Sequence, residues 1–437
     1  MNLSKLALVT AVSLVPATAA RAVTEIQFWH SMSGALGESV AGLTEQFNSS
    51  QKIYRVTPVF KGEYDESMAA AMVASRAGKA PHIIQISDAG TASILAAKHA
   101  IRPVYQLMAG AGEKFDTRAY FPAVSAHYTD ARGNLLSLPF NSSTAVFYYN
   151  KDAYRAAGLD PEHAPRTWPD VQQAALKVQD SGAAPCAFTT GWQSWVQVEN
   201  LSALHNQPVA TRNNGFAGTD VKLNFNSELL IRHVSLLSSW MKSGLFTYAG
   251  RSNAAEAKFQ NGECAMLTSS SAAYAAIAKN AKFAFGVGQL PYYDEFKGAP
   301  FNTIVDGASL WVMAGKKPAE YKGVAKFFHF LSRPEVQAVW TEETGLLPIT
   351  RAGADLARKQ GFYARNPGAD TSLKEMSSVT VDYSRGVRLG NLTQIRAVID
   401  EELEAVWNRK KTPIEALDMA VERGNALLRR FAQATKH

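Results

Sequence analysis

Polar and apolar residues alternate from Thr24 to Trp29 (TEIQFW), the two-residue period of a strand with one buried face. Apolar residues then return at Val40, Leu43 and Phe47, the spacing of one helical face, which predicts a helix over roughly Leu36 to Phe47. A strand over Tyr54 to Phe60, a helix over Glu63 to Arg76 and an apolar strand over Pro81 to Ile86 continue the alternation. Strands alternating with helices predict an α/β architecture with a largely parallel sheet. In such sheets ligands sit beyond the carboxyl ends of the strands. That rule points to Trp29, His30 and Ser31, to Lys61 through Tyr64, and to Ser87 and Asp88.

After Pro139 the pattern changes. A polar turn (NSST) precedes the strand Ala145 to Tyr149 and a helix from Lys151 to Ala157, closed by Gly158. Thr167, with Pro169 in the first turn, reads as the cap of the next helix. Toward the end, Ile395 to Trp407 is amphipathic, and Thr412-Pro-Ile-Glu415 is a capping box that starts a helix reaching about Phe431. A chain of 437 residues is too long for one core, so two lobes are expected. The polar Ser-rich stretches suggest crossings near 141–145, 268–271 and 330–346. They divide the chain into an N-terminal lobe (23–141 with about 271–332) and a C-terminal lobe (145–268 with about 333–437).

Residues 1–22 stand apart. Lys5 precedes the Ala-rich apolar run Leu6 to Ala19, and Ala20-Arg-Ala22 is a small-x-small site, together a secretory leader with Val23 as the expected mature start. The run is shorter than the ~18 apolar residues of a spanning helix, so the mature chain is expected to be exported and not embedded in a membrane. The leader holds Lys5 and Arg21 and no acid, so removing it takes the formal charge from +7 to +5. The remaining basic residues are dispersed, which argues against nucleic acid and is compatible with a small anionic ligand or with plain solubility. The two cysteines, Cys186 and Cys264, each lie in an expected strand. An oxidising compartment permits a bridge between them, and two buried thiols fit equally.

Catalytic and metal signatures are missing: there is no nucleophile elbow, zinc-ligand His pair or phosphate-cradling glycine loop. The chemistry-bearing residues are instead polar and aromatic groups at strand ends, namely Tyr64, Asp88, Ser143, Trp192, Trp195, Ser270, Gly307 and Arg396. Such a set suits a polar organic anion, with indoles packing on C–H surfaces, carboxylate and phenol groups gripping hydroxyls, and Ser, backbone N–H and guanidinium holding an oxyanion. Most have a plainer reading, and Tyr64 suits a helix-start aromatic packed on the sheet. Trp195 continues an apolar stripe with Val198, Leu201 and Leu204; Arg396 on a Glu-rich helix suits an exposed ion pair; Ser143 and Ser270 suit turns; Gly307 suits a strand kink; Asp88 suits a helix cap.

The segments VTEIQFWHSMSG, PFNSSTAVFYYNKDAYRAAGLDP, GWQSWVQVEN, GECAMLTSSS, DGASLWVM, TGLLPIT, GFYARNPGAD and RLGNLTQIRAVIDEELEAVW resemble, in order and spacing, the sn-glycerol-3-phosphate-binding branch of the extracellular solute-binding family 1, the periplasmic receptors of ABC importers. The resemblance implies a two-lobed periplasmic-binding-protein-like (type II) fold with a hinge and a ligand cleft between lobes, no enzymatic activity and no cofactor or metal. It also implies inner-membrane permease subunits with a separate cytoplasmic ATPase as partners. Carried over position by position, the glycerol end meets Tyr64, Asp88 and the face of Trp192, and the phosphate meets Ser143, Ser270, the Gly307 N–H and Arg396. Two positions depart from the family. Asp88 stands where the family has Glu, and Leu346 stands where the family has a Tyr whose hydroxyl donates to phosphate. Loss of that donor leads us to expect that glycerophosphodiesters such as glycerophosphocholine are accepted at least as well as sn-glycerol 3-phosphate. A neutral-sugar receptor of the same fold and a secreted phosphodiester hydrolase are the competing readings.

Overall fold

The computed structural model describes residues 23–97 and 99–435, so the expected leader lies outside the described residues. Among the described residues ten strands form two mixed sheets. They are β1 (Thr24–His30), β2 (Tyr54–Phe60), β3 (Ile83–Ser87), β4 (Ile101–Arg102), β5 (Leu138–Ser143), β6 (Ala145–Asn150), β7 (Cys186–Thr190), β8 (Cys264–Ser270), β9 (Phe285–Gln289) and β10 (Asp306–Met313). The first sheet runs β2-β1-β3-β10-β4 with β5 added on β10, and the second runs β7-β8-β6-β9. The expectation of largely parallel sheets is corrected. β1 is parallel to β2 and β3, and β7 to β8, but β10 runs antiparallel to β3, β4 and β5, and β6 antiparallel to β8 and β9. A late strand returning through the middle of an otherwise parallel sheet reverses direction there, and local periodicity carries no sign of direction.

The alternation of β1 is realised, with Ile26, Phe28 and His30 buried and Glu25 and Gln27 outward. The core of the first sheet gathers Phe28, Phe47, Phe140, Phe327, Phe330 and Trp340. The second core gathers Trp168, Phe188, Trp240, Phe246 and Trp407. β6 is buried along its whole length, as expected of a strand covered on both faces. Both predicted caps form, with Thr167 accepting from Asp170 N at 3.2 Å and Thr412 accepting from Glu415 N at 3.3 Å. Cys186 and Cys264 face each other in the β7–β8 register and are joined by a disulfide.

The chain passes from the first sheet to the second at Thr144, between β5 and β6, where the first crossing was expected. The other boundaries move. β9 pairs with β6, so the second crossing falls between β9 and β10 and not at 268–271. Val336, Trp340, Leu346, Leu347, Leu373 and Met376 pack in the first core, so the return to the second core comes after Met376 and not at 330–346. Glu375 is buried beside the second crossing, where its carboxylate accepts from Leu290 N at 3.2 Å and from Thr303 Oγ1 at 3.2 Å. Burial pushes its pKa up to about 8. The native state therefore keeps a proton that the unfolded chain releases near pH 4.5, and stability from this group is lost as pH rises from there to about 8. Urea unfolding of Glu375→Gln should lose this part of the decline between pH 5 and 8, worth up to roughly 1.4 kcal/mol per pH unit. An identical slope in wild type and variant would rule Glu375 out as its source.

Candidate ligand-binding cleft

A cleft of about 880 Å³ is bounded by residues from both sheets. That volume lies within the ~300–1,000 Å³ of small-molecule sites. The carboxyl ends of the parallel strands open onto it, as topology demands: Ser31, Met32 and Ser33 follow β1, and Ser87 and Ala89 flank the end of β3. Eight of the nine sequence candidates line it: Tyr64, Ser143, Trp192, Trp195, Ser270, Gly307, Leu346 and Arg396. Asp88 does not reach the lining. It is buried at 4% exposure just behind it, accepts a hydrogen bond from the Tyr128 hydroxyl, and its Oδ2 has no partner among the described residues.

Tyr64 opens the helix Tyr64–Arg76, which Glu63 caps, so its ring stands at the cleft edge. The Gln85 amide reaches its hydroxyl at 3.5 Å and donates to Asn141 Oδ1 at 2.9 Å, a polar floor that includes Ser31 N on Gln85 Oε1 at 3.0 Å. Burial, above all, raises the Tyr64 phenol so that it stays protonated and able to donate.

The two indoles behave differently. Trp192 follows β7 with φ of 49°, its N–H on Ser252 O at 2.7 Å, and its side chain is 37% exposed. A left-handed tryptophan is strained and is tolerated where surrounding structure imposes it, as at ligand sites. Trp195 is 1% exposed. The expected α-helical stripe beyond it is corrected: Ser194–Asn200 is a π-helix, and only Leu201–Leu204 is α-helical. The wider turn splits the stripe, sending Val198 and Leu201 into the second core and Trp195 and Leu204 into a small cluster with Ala145 and Leu290.

The same π-helix aims Glu199 at Arg396. Glu199 is 1% exposed and accepts from Arg396 Nε at 2.7 Å and Nη2 at 2.8 Å, a bidentate pair. The exposed ion pair considered for Arg396 is thus replaced by a buried one. The third nitrogen, Nη1, lies 3.9 Å from Asp306 Oδ1. Burial works against the charge on Arg396, but Glu199, Asp306 and Asp88 outweigh it and hold the guanidinium more firmly protonated than usual. Asp88 is pushed up by burial and then by the neighbouring Asp306 carboxylate.

Gly307 has φ of +149°, and a Cβ there would lie 2.0 Å from Asn141 O, so only glycine fits. Its N–H donates to Asp306 Oδ1 at 3.0 Å, and Ser143 Oγ lies 3.4 Å from Asp306 O. Ser270 accepts from Ala272 N at 3.2 Å and lines the cleft. Leu346 is 6% exposed and belongs to the first core, presenting only an apolar edge.

Sequence reasoning missed Glu199, Asp306, Glu256, Asp400 and Arg251. Glu63, Asp65, Glu256, Asp306 and Asp400 make the lining acidic: five carboxylates against Arg251 and Arg396. The chain's positive charge is therefore not concentrated here. Burial raises Glu256, partly opposed by hydrogen bonding to Ser269 and Trp192, and raises Asp400 to about 6. A usable signal existed for Glu199, an acid inside the apolar and amide stretch Trp195 to Leu204, where a buried charge requires a partner.

The family described as bacterial extracellular solute-binding proteins matches residues 42–371. The chain is 51% identical to the sn-glycerol-3-phosphate-binding periplasmic protein UgpB of Yersinia pestis, over 100% of this chain and 99% of that protein. It is also 51% identical to UgpB of Escherichia coli strain K12, over 95% of each. Among solved structures, UgpB from Mycobacterium tuberculosis in complex with glycerophosphocholine superposes with a TM-score of 0.74 at 22% identity, covering 94% of this chain and 100% of that one. The cyclic alpha-maltosyl-1,6-maltose binding protein of Arthrobacter globiformis superposes at 0.77 with 19% identity, covering 94% and 100%.

Proposed function

The chain belongs to the bacterial extracellular solute-binding protein family, and on that premise we propose that it is a periplasmic receptor capturing sn-glycerol 3-phosphate and glycerophosphodiesters for an ABC importer. The observation that carries this reading is that Gly307 N and Arg396 Nη1 meet at Asp306 Oδ1, with Ser143 Oγ on the same residue's carbonyl oxygen, in a cleft that the exposed Trp192 also lines. Guanidinium, amide and hydroxyl donors at that point suit a phosphate. Tyr64 suits a glycerol hydroxyl, whereas Asp88 is buried behind the lining and does not face the cleft. The indole, with Glu256 and Asp400 on the same wall, suits a trimethylammonium group through cation–π and charge attraction, which favours glycerophosphocholine.

The receptor works by population shift: ligand touching both lobes favours their closure about the crossings, and the closed form docks on permease subunits whose energy comes from a separate ATPase. Among the described residues no helix is long and apolar enough to cross a membrane. The relatives are named as binding proteins, and the role needs no catalysis and no cofactor. Calorimetric titration with both compounds tests the reading. Binding of glycerophosphocholine at least as tight as that of the monoester is expected. Tight monoester binding with no diester binding would eliminate the diester assignment, and binding only of neutral sugars would eliminate the phosphate assignment.

A further inference from the structure

β10 begins at Asp306, paired with Ser143 of β5, and the next pair sets Gly307 against Ser142. This register brings three of the four donors assigned to phosphate onto one residue. Gly307 N–H is 3.0 Å from Asp306 Oδ1, Arg396 Nη1 is 3.9 Å from the same oxygen, and Ser143 Oγ is 3.4 Å from Asp306 O. The Asp306 side chain is 25% exposed and faces the cleft. Glu199 holds the Nε and Nη2 of the same guanidinium, so two carboxylates meet one cation.

We infer that Asp306 is a charge filter: its carboxylate is a resident anion on the phosphate donors, which a ligand must displace, and it selects singly charged phosphodiesters over dianionic monoesters. The inference rests on the transport reading above and adds to it the residue that sets the preference. A phosphate that takes the Gly307 amide and the Arg396 corner leaves the Asp306 carboxylate only a few ångströms away, because its backbone is held in the β5–β10 ladder. Repulsion between like charges at that range scales with the ligand's charge. A diester carries one negative charge, whereas a monoester carries close to two above its second pKa of about 6. The monoester therefore meets roughly twice the penalty, with no Tyr hydroxyl at position 346 to offset it.

The test titrates wild type, Asp306→Asn and Asp306→Ala with sn-glycerol 3-phosphate and with glycerophosphocholine at pH 7.5 and fixed salt, with thermal melts as a folding check. Asn keeps an oxygen for the Gly307 amide and removes only the charge; Ala removes both. Both variants should gain monoester affinity by roughly tenfold and diester affinity by less, moving the preference toward the monoester. An unchanged ratio, or loss of both ligands, overturns the proposal, as does failure of both variants to fold, which would make Asp306 structural. Wild type that binds neither compound defeats the transport reading, and the filter falls with it. Wild type that binds with no change of ratio in the variants defeats the filter alone.

Discussion

Arg396→Ala is expected to weaken phosphate-ligand binding by at least about a hundredfold, since a charged hydrogen bond lost in a desolvated site costs roughly 1.5–3 kcal/mol and Arg396 contributes a charge as well. The same change should destabilise the fold by about 3 kcal/mol, because it strands Glu199, which is 1% exposed and bonded through both oxygens to this one side chain. The two effects separate. In the pair Arg396→Met with Glu199→Gln, the stranded charge disappears and most stability should return, while binding stays lost. Calorimetry and urea unfolding on the three proteins read both quantities. Retention of affinity in Arg396→Ala would mean that the ligand carries no anion at this corner, as a neutral-sugar receptor requires.

The second large effect divides the two tryptophans. Trp195 is enclosed by Ala145, Val196, Leu204 and Leu290, so Trp195→Ala should cost about 3–5 kcal/mol through the cavity it leaves. It should also lower affinity, because the ring still forms part of the cleft wall. Trp192 is more than a third exposed and holds a left-handed backbone. Trp192→Ala should therefore change stability by less than about 1 kcal/mol while lowering affinity roughly tenfold, as loss of a stacking face does. Trp192→Gly should be at least as stable as Trp192→Ala, since glycine tolerates that φ without strain. Thermal melts and titrations of the three variants decide it. A large stability loss confined to Trp192→Ala would reverse the assignment of wall and core.

Elements with a strong local signature were readable before any tertiary information. Tyr54–Phe60 is a strand as expected, because its β-branched and aromatic residues are bounded by polar turns. Thr412 and Glu415 cap their helix because the three-residue spacing alone closes both hydrogen bonds. β9 was not readable: FGVGQ is short, three of its five residues are glycine or polar, and only its pairing with β6 makes it a strand. Missing it displaced the second crossing. The π-helix was equally hidden, since apolar residues three apart suit an α-helix until the partners of Glu199 and Trp195 are in place.

The cleft shows the same division. Tyr64, Ser143, Trp192, Ser270 and Gly307 were legible as strand-end polar and aromatic residues, and the resemblance ordered them into a set. That order is a property of the sequence, because which residues follow a strand is local. The state of Arg396 was decided elsewhere. Its partner Glu199 is 197 positions away, and the carboxylate nearest its free nitrogen, Asp306, begins a strand laid against residues 163 positions earlier. No spacing rule spans such distances, because contacts that long are set by how the two sheets meet. By itself the sequence determined the locally marked elements, the caps at Thr167 and Thr412, eight residues of the cleft lining and the possibility of a bridge between Cys186 and Cys264. Only the tertiary structure decided that the cleft is acidic, that Arg396 is already held by Glu199, and that Asp306 stands on the donors a phosphate would need. Charge acts through space, and these groups become neighbours only when distant parts of the chain are folded together.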